Sequence, residues 1–255
     1  MSGARPTAAV IGAAATILLL WMVNPWIEVP AALNQIVTVA FWLLAVALVV
    51  VLYVDARRDP ESDRVEIEGP AFARFLTSNS RAGLVWLPVR IFLGFAWLEA
   101  GLHKATGTGW LDGGAALAGF WKGAVAIPEG GRPPITYDWY REFINVLLNG
   151  GHQSWFAPLV VFGEIAIGVA LLLGILTGFA AFFGAFMNMS FLLAGSASTN
   201  PVMFTLAVGL ILSWKVAGYY GVDRWLLPRL GTPWAAGSAP ARDSARPMRQ
   251  ANEGA

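Results

Sequence analysis

The sequence predicts an all-α integral membrane protein: a four-helix bundle preceded by a two-helix transmembrane hairpin, six spans in all. Three observations lead there. Of the 255 residues, 56% are hydrophobic and only 13% are charged, where ordinary soluble domains carry about 25%. A soluble chain of this size cannot cover its surface with so few charges, whereas a bilayer asks for no polar surface between its interfaces. Six apolar segments, near 6–23, 33–54, 83–102, 157–175, 178–195 and 202–218, approach the roughly 20 residues that cross the hydrocarbon core. Basic residues, finally, are biased toward alternate loops.

The first segment, "PTAAVIGAAATILLLWMV", has no strongly basic start and no small-x-small cleavage site before "NPW", which predicts an uncleaved anchor rather than a signal peptide. The second, "LNQIVTVAFWLLAVALVVVLYV", carries no charge until Asp55, and together the two form a transmembrane hairpin over 1–54. Residues 55–82 follow as a charged linker containing Arg57, Arg58, Arg64, Arg74 and Arg81, while the loop 24–32 has neither Lys nor Arg. The positive-inside rule then places the linker and both termini in the cytoplasm. The segments from 83 to 218 form the bundle, and the long loop 103–156 falls outside. Within that loop the Pro- and Gly-rich "IPEGGRPPITYDWY" breaks any helix, and "YDWYREFINVLLN" reads as a short amphipathic helix near the interface. Trp110, Trp121, Trp139, Tyr140 and Trp155 fit an aromatic belt there. The tail 231–255, "GSAPARDSARPMRQANEGA" included, reads as disordered and cytoplasmic.

Polar residues inside the spans are the candidates for chemistry. In "VRIFLGFAWLEAGLHK", at about 100° per residue, Trp86, Arg90, Gly94, Trp97 and Gly101 share one helical face. Phe92, Phe95, Glu99 and His103 share another. Arg90 and Glu99 stand on opposite faces about 13 Å apart along the axis, so they cannot pair within the helix. A charge at mid-bilayer costs at least about 2.5–3.5 kcal/mol. Glu99 and Glu164 in "VVFGEIAIGVALLLG" both fall in the outer half, within reach of each other and of His103 and Lys104, and are therefore read with His103 as one acidic and imidazole-bearing pocket, suited to proton transfer. Plain interhelical hydrogen bonding by the two acids is the competing reading.

Arg90 and Lys104 are candidate substrate-binding cations, with Lys122, Arg132 and Arg141 adding attraction for an anion. Asn188 either bridges helices or binds substrate. Ser198, Thr199 and Asn200, in the turn "SASTNP", either cap the last span or bind an oxyanion. Lys215 reads as a snorkelling anchor, and Asp223 with Arg224 as a local pair or helix cap. Gly178, Ala181 and Gly184 allow close helix packing. Cysteine is absent and only His103 and His152 are present. No thiolate metal site, iron–sulfur cluster or thiol redox chemistry is available, and little remains to hold a haem. Nothing basic enough for nucleic acid stands out at a net charge of +1.

"WLEAGLHKATGTGW", "GAFMNMSFLLAGSASTNPVMF" and "WKVAGYYGVDRWLLP" resemble the DoxX family, in particular its DoxD-like branch, over about 83–230. The hairpin 1–54 lies outside the resemblance. It implies a four-helix membrane protein of a bacterial or archaeal cytoplasmic membrane that oxidises thiosulfate to tetrathionate and passes electrons to a diffusible membrane quinone. A small second subunit would accompany it. Other relatives imply a non-catalytic partner of respiratory or oxidative-stress enzymes instead. A proton-coupled transporter is a weaker reading, since no inverted repeat or pair of broken helices is visible.

Overall fold

The computed structural model describes residues 4–23, 30–58 and 69–232, and every regular element among them is a helix. Three helices are long and apolar enough to cross a bilayer, at Ala32–Asp55, Ser80–Thr106 and Gln153–Leu173. They mark a membrane protein. Shorter apolar helices at Pro6–Met22, Thr177–Leu193 and Asn200–Leu212 fall on the other predicted segments.

Helices α1 (Ala4–Val23) and α2 (Ala31–Arg58) pack together as a hairpin. Between them and the bundle lies α3 (Ala71–Ser78), an amphipathic helix with no buried residue, so the predicted linker is helical over these residues. The Trp86 indole donates to the Leu76 carbonyl at 2.8 Å and ties α3 to the next helix. Residues 59–68 of the linker and the tail from 233 lie outside the described residues.

The bundle is organised on α4 (Gly83–Thr106), which runs seven-odd residues past Glu99 rather than ending at 102. The chain then folds a cap from α5 (Ala115–Val125) and α6 (Asp138–Asn149) before α7 (Gln153–Leu173) returns antiparallel to α4. Helices α8 (Thr177–Leu193) and α9 (Asn200–Leu212) form the second antiparallel pair. The predicted last span, 202–218, is broken at Ser213, beyond which come one turn of α10 (Trp214–Ala217) and a short α11 (Asp223–Arg229).

Helix association in lipid draws on close packing more than on burial of apolar area, since lipid tails are as apolar as the side chains. Helices α4 and α7 meet backbone to backbone. A Cβ at Gly94 would lie 2.9 Å from the Leu172 amide nitrogen, and one at Gly168 only 2.5 Å from that of Leu98. Leu93, Trp97, Ile167, Leu171, Ala181 and Leu210 fill the centre between the two helix pairs.

The cap replaces what the sequence reading treats as a loop. Its own core holds Leu117, Trp121, Ile135, Tyr140 and Ile144, packed down onto Ala157 and Ala194. Trp121 and Tyr140 are therefore interior residues of the cap and not members of an aromatic belt, while Trp155 remains exposed. The Tyr140 hydroxyl donates to the Ser190 carbonyl at 2.9 Å, pinning α6 to the end of α8. A hydrogen bond of 3.1 Å from Gln35 to Glu142 joins the start of α2 to the cap.

Candidate functional site

Glu164 sits on α7 with only 1% of its side chain exposed, in a helix otherwise apolar on that face. It lies there because Gly101 on α4 has no side chain: a Cβ at Gly101 would come within 3.1 Å of the Glu164 Cβ. One turn further along α4, Lys104 reaches back and donates to both carboxylate oxygens, at 2.9 and 2.7 Å. The lysine remains 19% exposed, and its ammonium stands 5.4 Å from the centre of the Trp110 ring at the base of the cap. One end of the pair is sealed between helices. The other end touches the cap.

The shared pocket of two acids and an imidazole that the sequence suggests does not form. Glu99 is exposed on the outer surface of α4, and so is His103 one turn beyond it. Neither side chain makes a hydrogen bond or ion pair with a described residue, so Glu164 meets Lys104 and not Glu99 or His103. The physical reason is the helical register already visible in the sequence. Arg90, Gly94, Trp97 and Gly101 are buried together, which turns the Phe92–Phe95–Glu99–His103 face away from the bundle. Glu99 is also deeper than its position in the predicted span implied. Gly94 opposite Leu172, Leu98 opposite Gly168 and Gly101 opposite Ile165 put Glu99 level with Ile167. That level is about 20 Å from the first residue of α7 at 1.5 Å per residue, in the middle of the bundle. A bare carboxylate facing hydrocarbon there costs at least about 2.5–3.5 kcal/mol.

Arg90 is not placed to bind substrate. It is enclosed at the end of the bundle opposite the cap, 2% exposed, with one guanidinium nitrogen donating to the Tyr220 carbonyl at 2.9 Å. Gly174, in the left-handed conformation at φ 67°, and Gly221 leave the space it occupies: Cβ atoms there would approach a guanidinium nitrogen to 2.0 and 2.5 Å. Asp223 completes this knot. Fully buried, it accepts from the amides of Leu176 at 2.6 Å and Thr177 at 2.8 Å, so it caps α8 from a distant part of the chain. The amides of Val222 and Asp223 donate to the carbonyls of Leu173 and Gly174, closing the exposed end of α7. The cap reading for Asp223 is thus correct, though the helix it serves is α8.

Asn188 is fully buried on α8, and neither atom of its amide has a hydrogen-bond partner within the chain. The Trp97 indole nitrogen is in the same condition, 2.9 Å from where a Cβ on Gly184 would stand. Both lie within about a turn of the depth of Glu164, since Met187 on α8 faces Gly163 on α7. Asn188 thus belongs to the interior near the pair, but its amide bridges no helices within the chain. Compared with protein-family models, with curated proteins and with solved structures, the chain matches none.

The turn residues stand apart. Asn200 donates from its side chain to the Ser196 carbonyl at 2.9 Å and staples the turn; it does not accept from the first amides of α9. Ser198, at φ 40°, and Thr199 are exposed, and the Thr199 hydroxyl lies 3.7 Å from the Met203 sulfur. The proposed cations do not converge either. Arg141 is held by Asp138 and by the Ile135 carbonyl, whereas Lys122 and Arg132 are exposed on the cap. Among the described residues no group of three or more His, Asp or Glu is arranged to hold a metal ion. Sequence reasoning missed the Trp97 indole and the Arg90–Asp223 knot. The signal was present in the first case, because Trp97 shares the Arg90–Gly94–Gly101 face, and absent in the second, which depends on contacts between distant segments.

Proposed function

We propose that this chain is a membrane-bound subunit of a quinone-linked oxidoreductase, in keeping with its resemblance to the DoxD-like branch of the DoxX family. The Lys104–Glu164 pair is the observation that carries the reading: a carboxylate sealed among apolar helices, bonded to an ammonium that keeps a path to the cap. Such a pair holds and moves a proton between a lipid-embedded acceptor and the aqueous side. In the reaction implied, two thiosulfate anions join through a new S–S bond and give up two electrons. A quinone takes these together with two protons to become quinol. The proton path runs through Glu164 and Lys104, with Asn188 and the Trp97 indole as neighbouring polar groups at that depth. The lack of Lys or Arg in 24–32 against the arginines of 55–82 supports a cytoplasmic-membrane orientation with both termini inside and the cap outside. In this reading the bundle and hairpin supply six spans, the three shorter apolar helices serving as thin ones.

Membranes containing the chain, with a small partner subunit where one co-purifies, should reduce a quinone analogue at the expense of thiosulfate. Glu164→Gln should lower that rate by at least about a hundredfold, the scale of one lost general-acid or general-base group. Undiminished turnover in the variant removes the pair from the mechanism. A second reading, a non-catalytic scaffold for a respiratory or stress-defence enzyme, is favoured by α3, where Phe72 and Phe75 stand exposed on a helix with no buried residue. A stoichiometric soluble partner that is lost on Phe72→Ala, with no turnover from the chain itself, would select it.

A further inference from the structure

The face of α4 turned away from the bundle carries two features that lipid alone does not accommodate. Its exposed residues Pro88, Phe92, Phe95, Glu99, Leu102 and Thr106 follow one another at alternating intervals of four and three. That spacing is the seam along which two helices pack side by side. At mid-depth in this seam stands the Glu99 carboxylate, with the His103 imidazole one turn further along, neither bonded to any described residue. Along the same face, one turn and more from Glu99 on the side away from His103, a shallow apolar hollow of about 600 Å³, lined by Leu87, Ile91 and Phe95 of α4 and by Leu172 of α7, leaves room for side chains from a neighbour.

We propose that two copies of this chain pair through this face, the Glu99 of each protomer meeting the partner's His103. Two copies inserted in the same orientation are related by a two-fold axis along the bilayer normal. Their α4 helices then run parallel and present the same surface to each other. Such an interface requires a self-complementary patch. An acid and an imidazole about 6 Å apart along one helix meet that requirement, because each copy supplies both halves of the pair. A different membrane partner would need to bring its own donor for Glu99 and its own acceptor for His103. The second copy brings both at once, and the phenylalanines close around the pair and exclude lipid.

The chain has no cysteine, so single cysteines report contacts without background. In lipid nanodiscs and in native membranes, Phe95→Cys or Leu102→Cys should form disulfide-linked dimers at least tenfold more than Phe186→Cys, on the exposed face of α8. Native mass spectrometry of the cysteine-free protein should show dimers. Glu99→Leu should reduce them at least tenfold while α4 stays folded, since the Glu99 side chain makes no hydrogen bond or ion pair with a described residue. Exchanging the two residues, Glu99→His with His103→Glu, should restore the dimer. A monomeric protein, equal cross-linking at Phe186→Cys, cross-linking of the seam to α2 or to another protein, or a dimer indifferent to Glu99→Leu would each overturn the proposal.

Discussion

Replacing Lys104 by methionine removes one ammonium and little volume, and isolates the energetics of the buried pair. Glu164 is 1% exposed and accepts two hydrogen bonds from Lys104, at 2.9 and 2.7 Å, with no other donor bonded to its carboxylate. Taking away one member of a buried pair leaves the other charge without compensation, at about 3–5 kcal/mol. Glu164→Leu should cost less, about 1–3 kcal/mol, because Lys104 is 19% exposed and can swing its ammonium toward the cap surface. The two losses should not add. Lys104→Met combined with Glu164→Leu removes both charges together and should fall within about 1–2 kcal/mol of the parent protein, since apolar replacements of buried pairs are close to neutral. Unfolding in mixed micelles at rising SDS fraction, followed by the fluorescence of the 12 tryptophans, gives each free energy and closes a double-mutant cycle. A Lys104→Met protein within about 1 kcal/mol of the parent, or single losses that simply sum in the double variant, would refute the reasoning.

Asp223→Ala should free the amides of Leu176 and Thr177 and strip the Arg90 knot of its carboxylate. A lost cap alone costs about 0.5–2 kcal/mol, and hydrogen exchange at the start of α8 should rise at least tenfold while the cap helices keep their protection. Burial raises the phenol of Tyr140, outweighing its bond to Ser190. Its contribution to stability is therefore present below the ordinary phenol value of about 10 and is lost as pH rises through the higher folded-state value. An ultraviolet titration should show one tyrosine ionising late, and that component should vanish in Tyr140→Phe. Gly114 lies at φ 75°, with a Cβ position 2.2 Å from the Gln153 carbonyl oxygen. Gly114→Ala should therefore destabilise the cap by more than about 1 kcal/mol, read as faster hydrogen exchange across α5.

Much of this architecture can be read directly from the chain, and particular residues show where that ends. The 100° periodicity of 86–103 separates Arg90, Gly94, Trp97 and Gly101 from Phe92, Phe95, Glu99 and His103, and the two groups are respectively buried and exposed in the folded bundle. Periodicity says which residues share a face; it does not say which face the neighbours choose. The choice falls to Gly94, Gly101 and Gly168, whose missing side chains bring α4 and α7 into backbone contact and send Glu99 outward. Residues 107–137 were harder to read, because Pro and Gly suggest a loop whether or not the aromatic side chains between them find a common core. Trp121 and Ile135 do find one.

Composition and pattern alone determined that the chain is helical and made for a membrane, where the apolar segments lie, and which side chains travel together on a helix, because backbone satisfaction in lipid and the 3.6-residue repeat are local constraints. The pairing of Glu164 with Lys104, the capping of α8 by Asp223 from 46 residues away and the folded cap over one end of the bundle were decided only by tertiary structure. Each joins segments far apart in the chain, and their meeting depends on helix register and close packing, which no short stretch of sequence contains.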